Sequence, residues 1–388
     1  FKYRLFVSTF STIPALILYF WQFPLANPIL LWSLIIISIV LVAFGLPIFI
    51  LLASLAIFFF LSEPSDWATN YDLISTISDS AYRIVVSPTL AAIPIFTLAG
   101  YVLAESNISD RLIKFFKETL GWLPGSTVLI VVILCAFFTA LTGGSGVTIL
   151  ALGAILYPIL VHDGYSKRFS LGIITTAGSL GLLFPPSLPA IIYSVTAGIN
   201  PLELFKQALV PAIFLLCIMF CYGLYMLPKN KKIEKFDFKN AYNSAKVAKW
   251  ELAIPLLIVL SLFSGFATLV ESAALLVLYV LTIELYIFKD IAFKDLPKII
   301  IDCSTLVGGV LIILGFAMGF TGYLVDAQIP LKILNFVQST ISSKIIFLLA
   351  LNILLLVIGC LMDVFSAIIV VVPLIAPLAS YFGIDPFH

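Results

Sequence analysis

Residues 126–161 read STVLIVVILCAFFTALTGGSGVTILALGAILYPILV, without a single charge. The run breaks at its centre, Thr142-Gly143-Gly144-Ser145-Gly146-Val147-Thr148. A spanning helix needs roughly 20 apolar residues, so each flank is short for a crossing. Basic residues stand on both sides: Arg111, Lys114 and Lys117 before, Lys167 and Arg168 after. A single pass would leave one group outside, against the positive-inside bias. The reading that satisfies both is a re-entrant hairpin over 126–161, entering from the cytoplasm and turning at the Gly-Ser tip.

The rest of the chain supports a lipid setting. Of its 388 residues, 62% are hydrophobic and 11% are charged, whereas soluble domains are about 25% charged. A net charge of +1 gives no footprint for nucleic acid. Cys135, Cys217, Cys221, Cys303 and Cys360 lie in or beside apolar runs and read as packing residues, not as a disulfide framework. No Gly-x4-Gly-Lys loop for ATP is present. The expected class is an all-α polytopic membrane protein.

Five regions follow. Residues 1–27 read as an extra N-terminal membrane helix, and 28–88 as scaffold helices and an outer loop. The apolar run 32–61 is interrupted at Gly45-Leu46-Pro47, as one tilted helix or two short ones. Residues 89–227 form a first repeat. It holds an interfacial amphipathic segment at 108–120, the hairpin, and a span broken at Phe184-Pro185-Pro186-Ser187. Residues 228–298 carry the most basic loop, with Lys229, Lys231, Lys232, Lys235, Lys239, Lys246 and Lys249, which fixes that loop as cytoplasmic. Two further scaffold crossings follow it.

Residues 299–388 form a second, incomplete repeat. Gly100-Tyr101-Val102-Leu103 matches Gly322-Tyr323-Leu324-Val325, and 108–116 matches 329–337. The tip at Thr142 falls opposite Asp363. The second copy starts from the other side of the membrane, so the repeats are inverted, with a second re-entrant hairpin over 344–381. Inverted repeats with broken helices are the architecture of many secondary transporters. The chain opens on Phe1 and the second copy stops at His388, where a counterpart of 170–227 is due, so the natural chain is expected to be longer.

The candidate site residues are few. Non-helical backbone at membrane depth is tolerated where it is buried in protein or lines a water-filled cavity. The tip residues Thr142, Gly143, Gly144, Ser145, Gly146 and Thr148 offer carbonyls and hydroxyls, and hard cations such as sodium prefer oxygen. Pro185 and Pro186 break a helix and free carbonyls. Ser187 starts a half-helix whose positive end can face an anion, and Ser179 adds an oxygen one turn or so earlier. Asp363, with Ser366 one turn on, is a lone carboxylate in an apolar run, which marks a functional site by default, able to bind sodium or carry a proton. It also reads as a helix N-cap. The proposed sodium ligands are Gly144, Ser145, Pro185, Ser187 and Asp363. Glu271 reads as a scaffold contact and His162 as a loop residue. A serine protease on Gly143-Gly144-Ser145-Gly146 would require a histidine base within reach, which His162 and His388 do not provide.

Taken together, Ala92-Ile93-Pro94-Ile95-Phe96 through Gly100, Gly143-Gly144-Ser145-Gly146, Phe184-Pro185-Pro186-Ser187, Val270-Glu271-Ser272-Ala273-Ala274 and Met362-Asp363-Val364-Phe365-Ser366-Ala367 carry a likeness. From about Trp32 onward the chain resembles the large membrane subunit of TRAP transporters, the tripartite ATP-independent periplasmic uptake systems. The resemblance implies an elevator-type secondary transporter in a bacterial or archaeal cytoplasmic membrane. It implies sodium as coupling ion, no other cofactor, and a small-molecule substrate, often an organic acid. Its implied partners are a small four-helix membrane subunit and an extracytoplasmic substrate-binding protein. Residues 1–27 would then be the end of a fused small subunit. Two departures stand out: the tip reads Gly-Gly-Ser-Gly-Val-Thr where many members have Ser-Gly-Ser-Ala, and Val364 replaces the usual proline. A stand-alone carboxylate transporter of similar build is the alternative.

Overall fold

In the computed structural model of the chain, the described residues are 36, 37, 40, 45–62, 75, 78, 79, 82, 86–228, 236–341 and 343–388. They contain helices and connecting turns, with no strand among them. The expected N-terminal helix and most of the outer loop lie outside the described residues. The chain divides into two compact units, one over Pro88–Val307 and the other combining Gly308–Pro386 with the segment before Pro88.

The first of these units is built from α2 (Pro88–Glu105), α3 (Ile108–Leu120), α4 (Ser126–Thr142), α5 (Ser145–His162), α6 (Lys167–Leu180), α7 (Leu188–Ala197), α8 (Pro201–Tyr225), α9 (Phe238–Val247), α10 (Lys249–Phe263) and α11 (Leu269–Thr282). The start of α12 (Leu296–Asp326) also belongs to it. Helix α4 is apolar on all faces and buried on most of them, with Leu129, Ile133 and Phe137 forming a half-buried stripe. It packs against α2, α3, α5, α6 and α8, with Val131, Leu134, Cys135 and Phe138 at most 1% exposed. Helix starts follow local chemistry. Ser166 accepts from Phe169 N (3.3 Å), Asn200 from Leu202 N (2.9 Å), and Asp237 from Lys239 N (2.9 Å). Each satisfies an N–H that has no partner within its helix. Thr268 and Glu271 form a reciprocal capping box at the start of α11, so the Glu271 carboxylate is engaged at the start of its own helix.

The other unit holds α1 (Ile48–Ser62), the remainder of α12, α13 (Ile329–Thr340), α14 (Lys344–Leu361) and α15 (Val364–Tyr381). Helix α1 begins just after Gly45-Leu46-Pro47. Its Phe59 stacks on Tyr323, with ring centroids 5.0 Å apart. Phe347 of α14 stacks on Phe382 at 4.4 Å, in a cluster with Leu378 and Ile384.

Among the described residues, five helices are long and apolar enough to cross a membrane: Ser145–His162, Pro201–Tyr225, Leu269–Ile287, Leu296–Asp326 and Val364–Tyr381. Two further pairs count as spans if each bent pair is one. Thr89–Glu105 with Ile108–Leu120 bends by 75°, and Lys167–Leu183 with Leu188–Ala197 by 44°. The succession α2–α3–α4–α5 recurs as α12–α13–α14–α15, with turns at matching places. Counted from the hairpin turns, Asp363 stands where Gly144 stands in the first copy, because each is the N-cap of the returning helix. The pairing of Asp363 with Thr142 was therefore two residues out.

Candidate functional site

The first tip is a two-glycine reversal. Gly143 adopts φ +70 and ends α4, its N–H donating to Thr139 O at 2.9 Å. Gly144 is extended, and Ser145 opens α5. The left-handed conformation at Gly143 favours glycine. So does space: a Cβ there would stand 2.7 Å from the Leu188 Cβ. Across the tip the buried hydroxyls of Thr142 and Thr148 lie 3.1 Å apart in a hydrogen bond. At the open end, Thr127 Oγ1 donates to Asp163, joining the start of α4 to the end of α5. Gly146 is exposed, and Gly144 and Ser145 are half-buried.

The broken span is brought against this tip. Helix α6 tightens into a 3₁₀ turn at Gly181–Leu183, the chain extends at Phe184, and α7 starts after Ser187. Ser187 is fully buried and caps α7 by accepting from Ala190 N at 3.3 Å. A Cβ on Gly181 would meet Thr139 Cβ at 2.5 Å and Ala136 O at 2.6 Å. On the other side, a Cβ on Gly100 of α2 would meet Thr142 N at 2.6 Å. The backbones of α2, α4 and the break thus approach more closely than any side chain would allow. Pro185 is half-buried and Pro186 buried. Pro185, Pro186 and Phe184 also line an apolar cavity of about 240 Å³ with Ala136, Ala140 and Pro255.

The arrangement places opposite helix ends together. Helix α4 and the 3₁₀ turn end here, presenting C-terminal carbonyls. Helices α5 and α7 begin here, presenting N-terminal amides. Carbonyl ends attract cations and amide ends attract anions. No ionised side chain lies between residues 126 and 161 or between 169 and 202, so the donors at the tip and break are neutral. Ser179, expected to contribute, is exposed and donates to Thr175 O at 3.3 Å. Thr139 was missed by sequence reading. Its hydroxyl is buried directly against the break and has no hydrogen-bond partner among the described residues. A hydroxyl one turn before Thr142 in an apolar run was the available signal. Ser145 has no histidine to activate it within its hairpin: His162 closes the same helix, about 25 Å away at 1.5 Å per residue.

The second tip turns through Met362, in extended conformation, into α15. Asp363 is its N-cap: Oδ2 accepts from Phe365 N (3.1 Å) and Ser366 N (3.2 Å), and Oδ1 accepts from the buried Ser366 hydroxyl. The carboxylate is exposed.

A buried ion cluster also escaped sequence reading. Arg111, taken above as an interfacial cation, reaches inward from α3. It donates to Glu251 and to Asp290 (2.7 Å), lies 3.6 Å from Glu284, and covers the Phe288 ring at 3.8 Å. The Glu251 and Glu284 side chains are fully buried. Glu284 sits in a π-helical turn, Ile283–Ile287, that ends α11. Burial works to raise the Asp290 carboxyl, but the bonds from Arg111 and Asn107 outweigh it and hold it below the ordinary aspartate range. A lone carboxylate in the apolar run around Glu284 was as visible as Asp363.

The profile described as "Tripartite ATP-independent periplasmic transporter, DctM component" matches residues 35–388. The C4-dicarboxylate TRAP transporter large permease protein DctM of Pseudomonas aeruginosa is 32% identical over 303 residues, 77% of this chain and 71% of that protein. The protein of the same name from Vibrio cholerae is 30% identical over 367 residues, 89% of this chain and 80% of that one. The isethionate TRAP transporter permease protein DctMQ of Oleidesulfovibrio alaskensis is 28% identical over 318 residues, 81% of this chain and 50% of its own length.

Proposed function

This chain belongs to the DctM component family of tripartite ATP-independent periplasmic transporters, and from that premise we propose that it is the large permease of a sodium-coupled importer of a small organic acid. The relatives are named as transporter permeases, which supports a transporter rather than an enzyme. The finer reading rests on one observation: two carbonyl-ended and two amide-ended helix termini meet at the tip and the break, two segments that carry no ionised side chain of their own.

The donor set fits a monovalent hard cation. The Thr139 hydroxyl lacks a partner among the described residues, Thr142 and Thr148 add hydroxyls, and the ends of α4 and the 3₁₀ turn add carbonyls. Sodium held there would supply positive charge beside the amide ends of α5 and α7, so that ion and carboxylate stabilise each other. Asp363 and Ser366 are the corresponding oxygen donors of the second tip. Transport proceeds by an elevator movement of the hairpins and broken helices between two faces of the cytoplasmic membrane. A binding protein delivers substrate, and a small membrane subunit completes the permease. The substrate class follows the relatives named for C4-dicarboxylates and isethionate.

Binding can be tested without transport, because a ligand that binds only the native state raises its melting temperature. Sodium should raise the melting temperature of the purified permease, and choline at equal ionic strength should not. Equal effects of the two salts would reject a sodium site.

A further inference from the structure

The segment 229–249 carries seven lysines, at 229, 231, 232, 235, 239, 246 and 249, against Glu234 and Asp237. Its described part is α9, which has two unlike faces. Ala241 and Ser244, with Ala248 just after, are buried, and α9 packs against α3. The opposite arc is open. Phe238 is 74% exposed and Tyr242 62%, one turn apart, while Lys239 and Lys246 flank them and are exposed. At 3.6 residues per turn the four fall within an arc of about 100°. Just past the helix end, Lys249 is exposed with its ammonium 4.8 Å from the Trp250 ring. Trp122, two residues past the end of α3, is 48% exposed.

We propose that α9 lies in the headgroup layer of the membrane and binds acidic phospholipid through Lys239, Lys246 and Lys249, with Phe238 and Tyr242 seated at the boundary with the acyl chains. Large aromatic side chains this open are costly in water. Aromatic rings and lysines interleaved on one helix arc match the interface, where the rings sit at headgroup level and the ammonium groups reach the phosphates. The charge is complementary to an anionic leaflet and to nothing zwitterionic. The Asp237 carboxylate is engaged in the helix cap. No part of the transport site is involved.

The test counts lipids retained by the intact purified permease in native mass spectrometry, after equilibration with phosphatidylglycerol or phosphatidylcholine. Wild type should retain phosphatidylglycerol about tenfold more than phosphatidylcholine. Lys239→Gln/Lys246→Gln/Lys249→Gln should lose that preference, while Lys332→Gln/Lys344→Gln keeps it. Phe238→Ser/Tyr242→Ser should lower retention of both lipids. Melting in phosphatidylcholine nanodiscs should match wild type for each variant; one that melts early is replaced by the single-lysine changes, whose preference should fall stepwise. Two results overturn the proposal: no preference in wild type, or full preference in the triple variant. Loss of a protein partner from the aromatic variant, with lipid retention unchanged, would overturn it in favour of a protein contact.

Discussion

Thr142 and Thr148, the last residue of α4 and the fourth of α5, hydrogen-bond to each other through buried hydroxyls 3.1 Å apart across the Gly143-Gly144 tip. Changing one to Val strands the other hydroxyl, which costs about 1–3 kcal/mol. Thr142→Val and Thr148→Val should each melt early, and the double variant should recover most of the loss. Sodium-driven uptake separates packing from coordination. The double variant should need far more sodium for half-maximal rate, and an unchanged titration would remove the pair from the ion site.

Gly181 and Gly172 lie on one broken span but differ in surroundings. A Cβ at Gly181 would meet Thr139 Cβ at 2.5 Å, whereas one at Gly172 meets nothing within 4 Å. Gly181→Ala should push the break off α4 and abolish uptake with a clear fall in melting temperature. Gly172→Ala should be neutral or stabilising by up to about 1 kcal/mol, from helix propensity. Thermal melting and uptake of both variants check the contrast.

Arg111 faces three carboxylates, two of them fully buried. Removing one partner of a buried pair costs about 3–5 kcal/mol, because a buried charge is left behind. Arg111→Met should therefore express poorly or melt early, and Arg111→Met/Glu251→Gln should recover part of the stability. Additive losses in the double variant would mean that the two residues act independently.

The sequence made legible what local chemistry controls. Glycines and prolines marked the tip at 143–144 and the break at 184–187, and charge spacing bounded α3 at Ile108–Leu120 as observed. Non-local chemistry was hidden. Glu251 and Asp290 stand 140 and 179 positions from Arg111, so a lone arginine beside an apolar stripe looked like an interfacial cation. Gly100 and Gly181 look like ordinary helix glycines until the backbone across from each is known. The Asp363 register slipped because apolar helices align equally well two residues apart, and only the N-cap fixes it.

Asp363 caps α15 and is the candidate ion ligand of the second tip. Asn caps as well as Asp, so Asp363→Asn should melt like wild type. Carboxylate–cation attraction is lost, and a net change of about 1.4 kcal/mol is tenfold in affinity. Half-maximal uptake should therefore require about ten times more sodium. An unshifted sodium curve would leave Asp363 as a cap alone.

The central claim is that sodium drives uptake through this chain. Proteoliposomes holding the permease with its small subunit, and binding protein loaded with substrate outside, allow each gradient to be imposed alone. An inward sodium gradient should drive substrate accumulation, and an inward proton gradient in sodium-free medium should not. Accumulation driven by protons without sodium, at the rate seen with sodium, would contradict the account.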